Sequence, residues 1–342
     1  MIVRAFFQAA KVQNATPPYD TIHLKIFYPA TTEEGDDLSS MSLPADRDRS
    51  PFKVVIFFNG FNCSNQSYQW LAVKLAQQGL VVVTFNWITQ DFPNMVSLTP
   101  GVNIEMLKPN NYGTGITASA LPTIFAVLDN LQQEGVLAGL LDLERVILGG
   151  HSAGGKVAIE SALPKFYPQI VAAFSYGAHS GGAVKLGYEP NTFLPLPDAT
   201  PLLLIGGTRD GVVDSNSDNY GMSYPDPTTP IRRSFTEAIA GGRDDSYLLL
   251  LEGANHFSIA EYSDPTVGIP LRDYKATQPA QKFQELMAEA ISLFIDAHVN
   301  SQQRDWVSRG NLGTPRVRSA ALKSLEQMLV TKNPLIASFE RK

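Results

Sequence analysis

The chain has 342 residues, 44% of them apolar, 18% charged and 10% aromatic, with a formal net charge of −6. That length and composition fit one large globular domain that buries roughly three quarters of the surface it exposes when unfolded, with no need of disulfide or metal staples. The negative balance excludes nucleic acid as the main partner, and Cys63, the only cysteine, excludes an intrachain disulfide and points to a reducing, cytoplasmic setting.

From the N-terminus, MIVRAFFQAAKVQ has too short an apolar run and no small-residue cleavage site for a signal peptide. No stretch approaches the roughly 18 apolar residues of a membrane-spanning helix. The expectation is a soluble or peripherally attached protein. Residues 21–28, TIHLKIFY, alternate apolar and polar as a half-buried strand does. The polar run from Thr31 to Ser50 has loop composition. KVVIFFNG at 53–60 reads as a fully buried parallel strand ending at a turn. Residues 68–78 read as a helix with Trp70, Leu71, Val73, Leu75 and Ala76 at its apolar positions and Gly79 as its stop.

The alternation continues with a strand at 80–87, a helix over about 117–134, a strand at 145–150 and a helix opening near Ser152. Strands follow at 170–176, 201–207 and 246–253, then a last helix over about 277–299 with Phe283, Leu286, Met287, Ala290, Ile291 and Phe294 at helical spacing. Strands interleaved with helices in this way predict an α/β fold, a mainly parallel sheet with helices on both faces, over residues 1–300. Three long segments, about 88–116, 177–200 and 212–245, read as lid-like insertions, which in such sheets lie where ligands bind.

The chemistry concentrates at Gly150-His151-Ser152-Ala153-Gly154, a G-x-S-x-G pentapeptide between a predicted strand and a predicted helix. In that context the serine sits on a turn so tight that its flanking glycines must lack side chains, and its hydroxyl projects above the sheet as a nucleophile. The same letters fit the phosphate-cradling pattern G-x-x-x-x-G-K, but Val157 stands where that loop needs a Ser or Thr for magnesium.

A serine nucleophile needs a base, and the base needs a carboxylate, in the chain order Ser, acid, His. Of the three histidines beyond Ser152, His179 comes too early and is expected only to line the pocket, while His298 falls inside the last helix. His256, just past the strand SYLLLLEG, is the candidate base. Asp210, in the first turn after PLLLIGG, is the preferred acid, with Asp214 the alternative. The backbone N–H groups of Phe61 and Ala153 are the expected oxyanion hole, and Asn62 and His151 join His179 as expected substrate contacts. No metal or other cofactor is called for. Cys63 lacks the strand-to-helix turn a nucleophile needs.

At these residues the chain, over about 50–300, resembles the α/β-hydrolase superfamily, and more narrowly its chlorophyllase and dienelactone-hydrolase-like branch. Gly150-His151-Ser152-Ala153-Gly154-Gly155-Lys156 is similar to the chlorophyllase motif G-H-S-R-G-G-K, and Glu252-Gly253-Ala254-Asn255-His256 to E-G-V-N-H around that family's histidine. KVVIFFNG with the SNQSY stretch after it is similar to the family's oxyanion segment. The resemblance implies cleavage of chlorophyll to chlorophyllide and phytol, without a metal. The chain departs from plant members where their acid lies, about thirty residues after the serine. Phe174-Ser175-Tyr176-Gly177-Ala178-His179 has no carboxylate there, which points to a bacterial or cyanobacterial type using Asp210.

Residues 301–342 form a basic extension, with eight Lys or Arg against three Asp or Glu. Val317, Ala321, Leu325 and Met328 or Leu329 fall on one helical face, which either packs on the domain or touches an anionic, thylakoid-like membrane surface. Three functions follow as expectations. The first is a chlorophyllase-type hydrolase of a bulky apolar ester. The second is a general esterase, lipase or cutinase-like polyester hydrolase. The third, from another class, is a non-catalytic α/β-hydrolase that binds such molecules.

Overall fold

The computed structural model describes residues 1–32, 43–92, 95–223, 226–300, 320–330 and 333–342. One sheet runs through it, built from β1 Ile2–Lys11, β2 Thr21–Ala30, β3 Phe52–Phe58, β4 Val81–Phe92, β5 Met95–Leu98, β6 Leu141–His151, β7 Ile170–Tyr176, β8 Leu202–Gly207, β9 Tyr247–Leu251 and β10 Ile336–Arg341. The spatial order is β1-β2-β4-β3-β6-β7-β8-β9-β10, with β5 folded back on the end of β4. Strands from β4 through β3 to β9 run parallel, and both edges are antiparallel.

The parallel strands are continuous apolar runs because both faces are covered. On one face, α2 (Leu121–Gln133), α3 (Ala153–Glu160) and α5 (Thr229–Arg233) pack side chains such as Ile124, Leu128, Val157 and Ile231 against the sheet. On the other lie α1 (Gln69–Gln77), α6 (Ala280–Ile295) and α7 (Ala320–Val330), with Leu71, Phe283, Ile291 and Leu325 facing inward. A short helix, α4 (Gly211–Ser215), follows β8 directly.

The elements expected from residue 21 to residue 295 are present with bounds shifted by a few residues. The edges differ from expectation. β1 occupies the N-terminal stretch that carried no structural expectation, and pairs along its whole length with β2. β5 pairs antiparallel with the end of β4 inside the segment expected to be an irregular insertion, just beyond Pro93, which itself lies outside the described residues. The polar run at 31–50 falls partly on residues 33–42, also outside them; beyond these, Leu43 and Ala45 are buried and the Tyr28 hydroxyl donates to the Leu43 carbonyl at 2.8 Å.

The basic extension ends in β10, which extends the sheet beyond β9. Within α7, Leu325 and Met328 are buried among the residues of the α6 face. Val317 and the side chains of Ala321 and Leu329 lie outside the described residues. No helix among those described is long and apolar enough to cross a membrane.

Candidate active site

β6 delivers Ser152 to the top of the sheet and α3 carries the chain away. Ser152 sits at φ 55° and ψ −124°, a region that side-chain-bearing residues rarely occupy. Two contacts explain the glycines of the pentapeptide. A Cβ on Gly150 would meet the Gly154 carbonyl oxygen at 2.4 Å. One on Gly154 would meet the Phe58 and Asn59 carbonyl oxygens, both at 2.3 Å. The Ser152 N–H donates to the Tyr176 carbonyl at 2.9 Å, tying the turn to the neighbouring strand.

Asp210 and His256 follow adjacent parallel strands, β8 and β9, so their turns meet. His256 Nδ1 lies 2.8 Å from Asp210 Oδ2, and both residues are buried. Asp210 spends its other oxygen on the first turn of α4, accepting from the Val213 N–H at 2.8 Å, which fixes the carboxylate's direction. Burial disfavours a charged His256 ring, but the carboxylates of Asp210 and Asp273 outweigh it and raise the ring's pKa above the usual histidine value. Asp214 is exposed to a different partner, accepting from the Tyr274 hydroxyl, and Asp210 is the carboxylate at the histidine.

Gly177, just after β7, packs closely against the Asp210–His256 pair. It stands at φ +62°. A Cβ there would lie 3.1 Å from His256 Nδ1 and 3.3 Å from Asp210 Oδ2. The bare glycine leaves the space that the Asp210–His256 pair occupies.

Ser152, His151 and His256 line one cleft of about 220 Å³, together with Gly60, Phe61, Cys63, Val212, Asn216, Phe257, Ile269 and Arg272. The Phe61 and Ala153 N–H groups donate to no acceptor among the described residues. The Phe61 turn is held from below by Asn59, whose Nδ2 donates to the Gly60 carbonyl at 3.1 Å and the Cys63 carbonyl at 2.7 Å. Burial raises the Cys63 thiol to about 11, so it stays protonated and unreactive at neutral pH.

The three expected substrate contacts are occupied otherwise. Asn62, in the left-handed region at φ 55°, donates its N–H to the Leu98 carbonyl at 2.8 Å and accepts the Leu98 N–H on Oδ1 at 3.1 Å. It anchors β5 to the oxyanion loop. His179 is buried away from the cleft lining, its Nδ1 accepting from the Gly181 N–H at 3.1 Å and its ring set edge-on to Tyr220. Burial, with Lys156 and His256 nearby, lowers its pKa to about 3 and keeps it neutral. His151 reaches the cleft wall, but both its ring nitrogens are engaged within the protein.

Those His151 bonds form a chain that sequence reasoning did not find. The Gly60 N–H donates to the Tyr68 hydroxyl at 3.0 Å. That hydroxyl lies 2.8 Å from His151 Nδ1, and His151 Nε2 lies 3.0 Å from the His256 carbonyl oxygen. Burial, with His256 beside it, holds His151 well below the usual histidine range. A neutral ring has one donor, and the carbonyl can only accept, so the proton sits on Nε2 and Tyr68 donates to Nδ1. The oxyanion loop and the base loop are thereby joined through the residue that precedes Ser152. Tyr68 was present in the SNQSY stretch, but a tyrosine at the start of a helix carries no signal that its hydroxyl turns back to Gly60.

Lys156 likewise has an internal task. Its ammonium pairs with the buried carboxylate of Glu160 at 2.7 Å and donates to the Gly181 carbonyl at 3.1 Å, which removes it from any phosphate-binding role.

Comparison with known proteins adds to this geometry. No protein-family model matches the chain. It is 25% identical over 246 residues to a bis(hydroxyethyl) terephthalate hydrolase of Streptomyces coelicolor, an alignment covering 70% of this chain and 58% of that protein's length. Its structure resembles that of a ferulic acid esterase from Streptomyces cinnamoneus with a TM-score of 0.55 at 16% identity, covering 91% of this chain and 94% of that one. The strand order, the turn at Ser152 and this likeness together show the α/β-hydrolase fold.

Proposed function

We propose that this α/β-hydrolase is a serine carboxylic-ester hydrolase with Ser152 as nucleophile, His256 as base, Asp210 as acid and the Phe61 and Ala153 N–H groups as oxyanion hole. The observation that carries the reading is the buried Asp210–His256 pair, 2.8 Å apart, opening on the same cleft as Ser152 at its positive-φ turn. His256 takes the Ser152 proton as the oxygen attacks the ester carbonyl. The tetrahedral oxyanion lies against the two N–H groups, and its collapse breaks the ester C–O bond as the alcohol leaves with the proton from His256. Water, deprotonated by the same ring, then hydrolyses the acyl-enzyme. Asp210 holds Nδ1 so that Nε2 faces the serine.

The favoured substrate is an ester of an aromatic acid with a small alcohol. Cavities of about 150 Å³ hold one benzene ring, so the 220 Å³ cleft between Phe61 and Phe257 suits a single substituted ring. The sequence relative's substrate, a terephthalate diester, is of this kind. The motifs around Ser152 and His256 favour a second reading, the phytyl ester of chlorophyll, but a cleft of this size does not enclose a macrocycle. The test is to incubate the purified protein separately with bis(hydroxyethyl) terephthalate and with chlorophyll a, following product acids by chromatography. Release of terephthalate monoester supports the first reading, and chlorophyllide without it supports the second. Binding of either with no turnover would favour the non-catalytic alternative.

A further inference from the structure

We propose that Asp273 is a positioning residue of the triad, a second carboxylate that holds the acid turn and the base loop in register with each other. The inference rests on the ester-hydrolase reading above. Asp273 lies in the loop before α6, far from the motif residues in sequence, and nothing about its neighbours marks it.

Its two oxygens accept four backbone N–H groups, drawn from both halves of the pair. Oδ1 accepts from the Gly211 N–H at 3.0 Å, directly beside the acid Asp210. The same oxygen accepts from the N–H of the base His256 at 3.2 Å and from the adjoining Tyr274 N–H at 3.0 Å. Oδ2 accepts from the Phe257 N–H at 3.1 Å. One side chain therefore fixes the residue after the acid, the base itself and the residue after the base. Asn255 reinforces the clamp, its Nδ2 donating to the Tyr274 carbonyl at 2.7 Å. The backbone packs as closely: a Cβ on Gly211 would meet the Arg272 carbonyl oxygen and the Tyr274 nitrogen, each at 2.6 Å.

Only a carboxylate satisfies this arrangement. An asparagine has one acceptor oxygen, so in either orientation its NH₂ faces an N–H that it cannot accept. The two loops would separate at the point where the His256 ring must stay aligned between Asp210 and Ser152. A misplacement of about 1 Å in such a constellation costs of order 10²-fold in rate.

The charge of Asp273 also acts on the base. His256 is faced by Asp210 from the end of β8 and by Asp273 from the loop before α6. The neutral rings of His151 and His179 approach it from β6 and from beyond β7, and Arg272 lines the same cleft. The Tyr176 hydroxyl, from the end of β7, is spent on the Asn255 carbonyl at 2.5 Å. Of these, the two carboxylates favour the imidazolium, so losing one makes the ring a weaker base.

The test compares Asp273→Asn and Asp273→Glu with the wild-type protein, using p-nitrophenyl acetate turnover and NMR titration of the His256 ring. In Asp273→Asn, kcat is expected to fall of order 10²-fold with KM changed little, and the His256 titration, with the acid limb of kcat/KM, to move to lower pH. Asp273→Glu keeps the charge but displaces it, so kcat falls while the titration stays near that of the wild type. Loss of thermal stability alone, with kcat and the His256 titration unchanged in either variant, overturns the proposal. If Asp273→Asn does not fold, the kcat of Asp273→Glu decides the matter. A wild-type protein without turnover instead overturns the hydrolase reading, and the NMR titration still tests the clamp.

Discussion

The turn that carries Ser152 takes its geometry almost entirely from its own pentapeptide and the ends of β3 and β7, whereas the loop that carries His256 takes its geometry from three distant segments. At the turn, the contacts that matter are repulsive and short-ranged. Gly150 against Gly154, and Gly154 against Phe58 and Asn59, leave no room for a Cβ, and Ser152 is held at positive φ as a result. At the base loop the contacts are attractive and long-ranged. His151 binds the His256 carbonyl, Tyr176 binds the Asn255 carbonyl, and Asp273 binds two successive N–H groups. The difference fits the chemistry proposed for each group. A nucleophile needs one fixed direction of attack, which steric exclusion supplies. The base must stay aligned between Asp210 and Ser152 while a proton passes, and hydrogen bonds from several sides hold it there.

The largest effect expected is that of Ser152→Ala, which removes the reacting oxygen and leaves both supports intact. Turnover of a p-nitrophenyl ester should fall of order 10⁶-fold with the fold unchanged by circular dichroism. Measurable residual turnover of more than about a thousandth would mean that another group attacks. Asp210→Asn leaves His256 without its orienting carboxylate and is expected to lower kcat of order 10⁴-fold. Asp214→Asn, which touches only the Tyr274 hydroxyl, should stay within about twofold. A reversed ranking would reassign the acid.

Two smaller effects separate the supports themselves. Gly154→Ala forces backbone to move at Phe58 and Asn59, with an overpacking cost of about 1–3 kcal/mol in urea unfolding. Turnover should drop with it, because the Phe61 loop and the Ala153 N–H shift together. Tyr68→Phe deletes the hydroxyl between the Gly60 N–H and His151 without opening a cavity. The buried groups left unpaired cost about 1–3 kcal/mol, and kcat should fall about tenfold as oxyanion loop and base loop decouple. If Tyr68→Phe alters stability but not kcat, the chain through His151 supports the fold and not the site, and the contrast drawn between the two regions narrows to Asp273 and Tyr176.

By itself the sequence determined the interior strands from β2 to β9 apart from β5, the helices α1, α2, α3 and α6 over them, and the places of Ser152 at a strand-to-helix turn and of Asp210 and His256 just past β8 and β9. Fully buried strands need unbroken apolar runs, and a G-x-S-x-G between strand and helix fixes a turn within five residues, so both are written locally. Tertiary structure alone decided the edges and the supports. β1 and β10 are half-exposed and mixed in composition, and β10 ends a segment that reads as a basic appendage. Asn62 shows the same limit, since its side chain looked free for substrate until Leu98 was brought beside it. Tyr68, Gly177 and Asp273 carry no sequence signal for their roles. Tyr68 reaches His151 83 residues away and Asp273 reaches Gly211 62 residues away, and a hydrogen bond across such a distance exists only once the sheet has set the strand ends side by side.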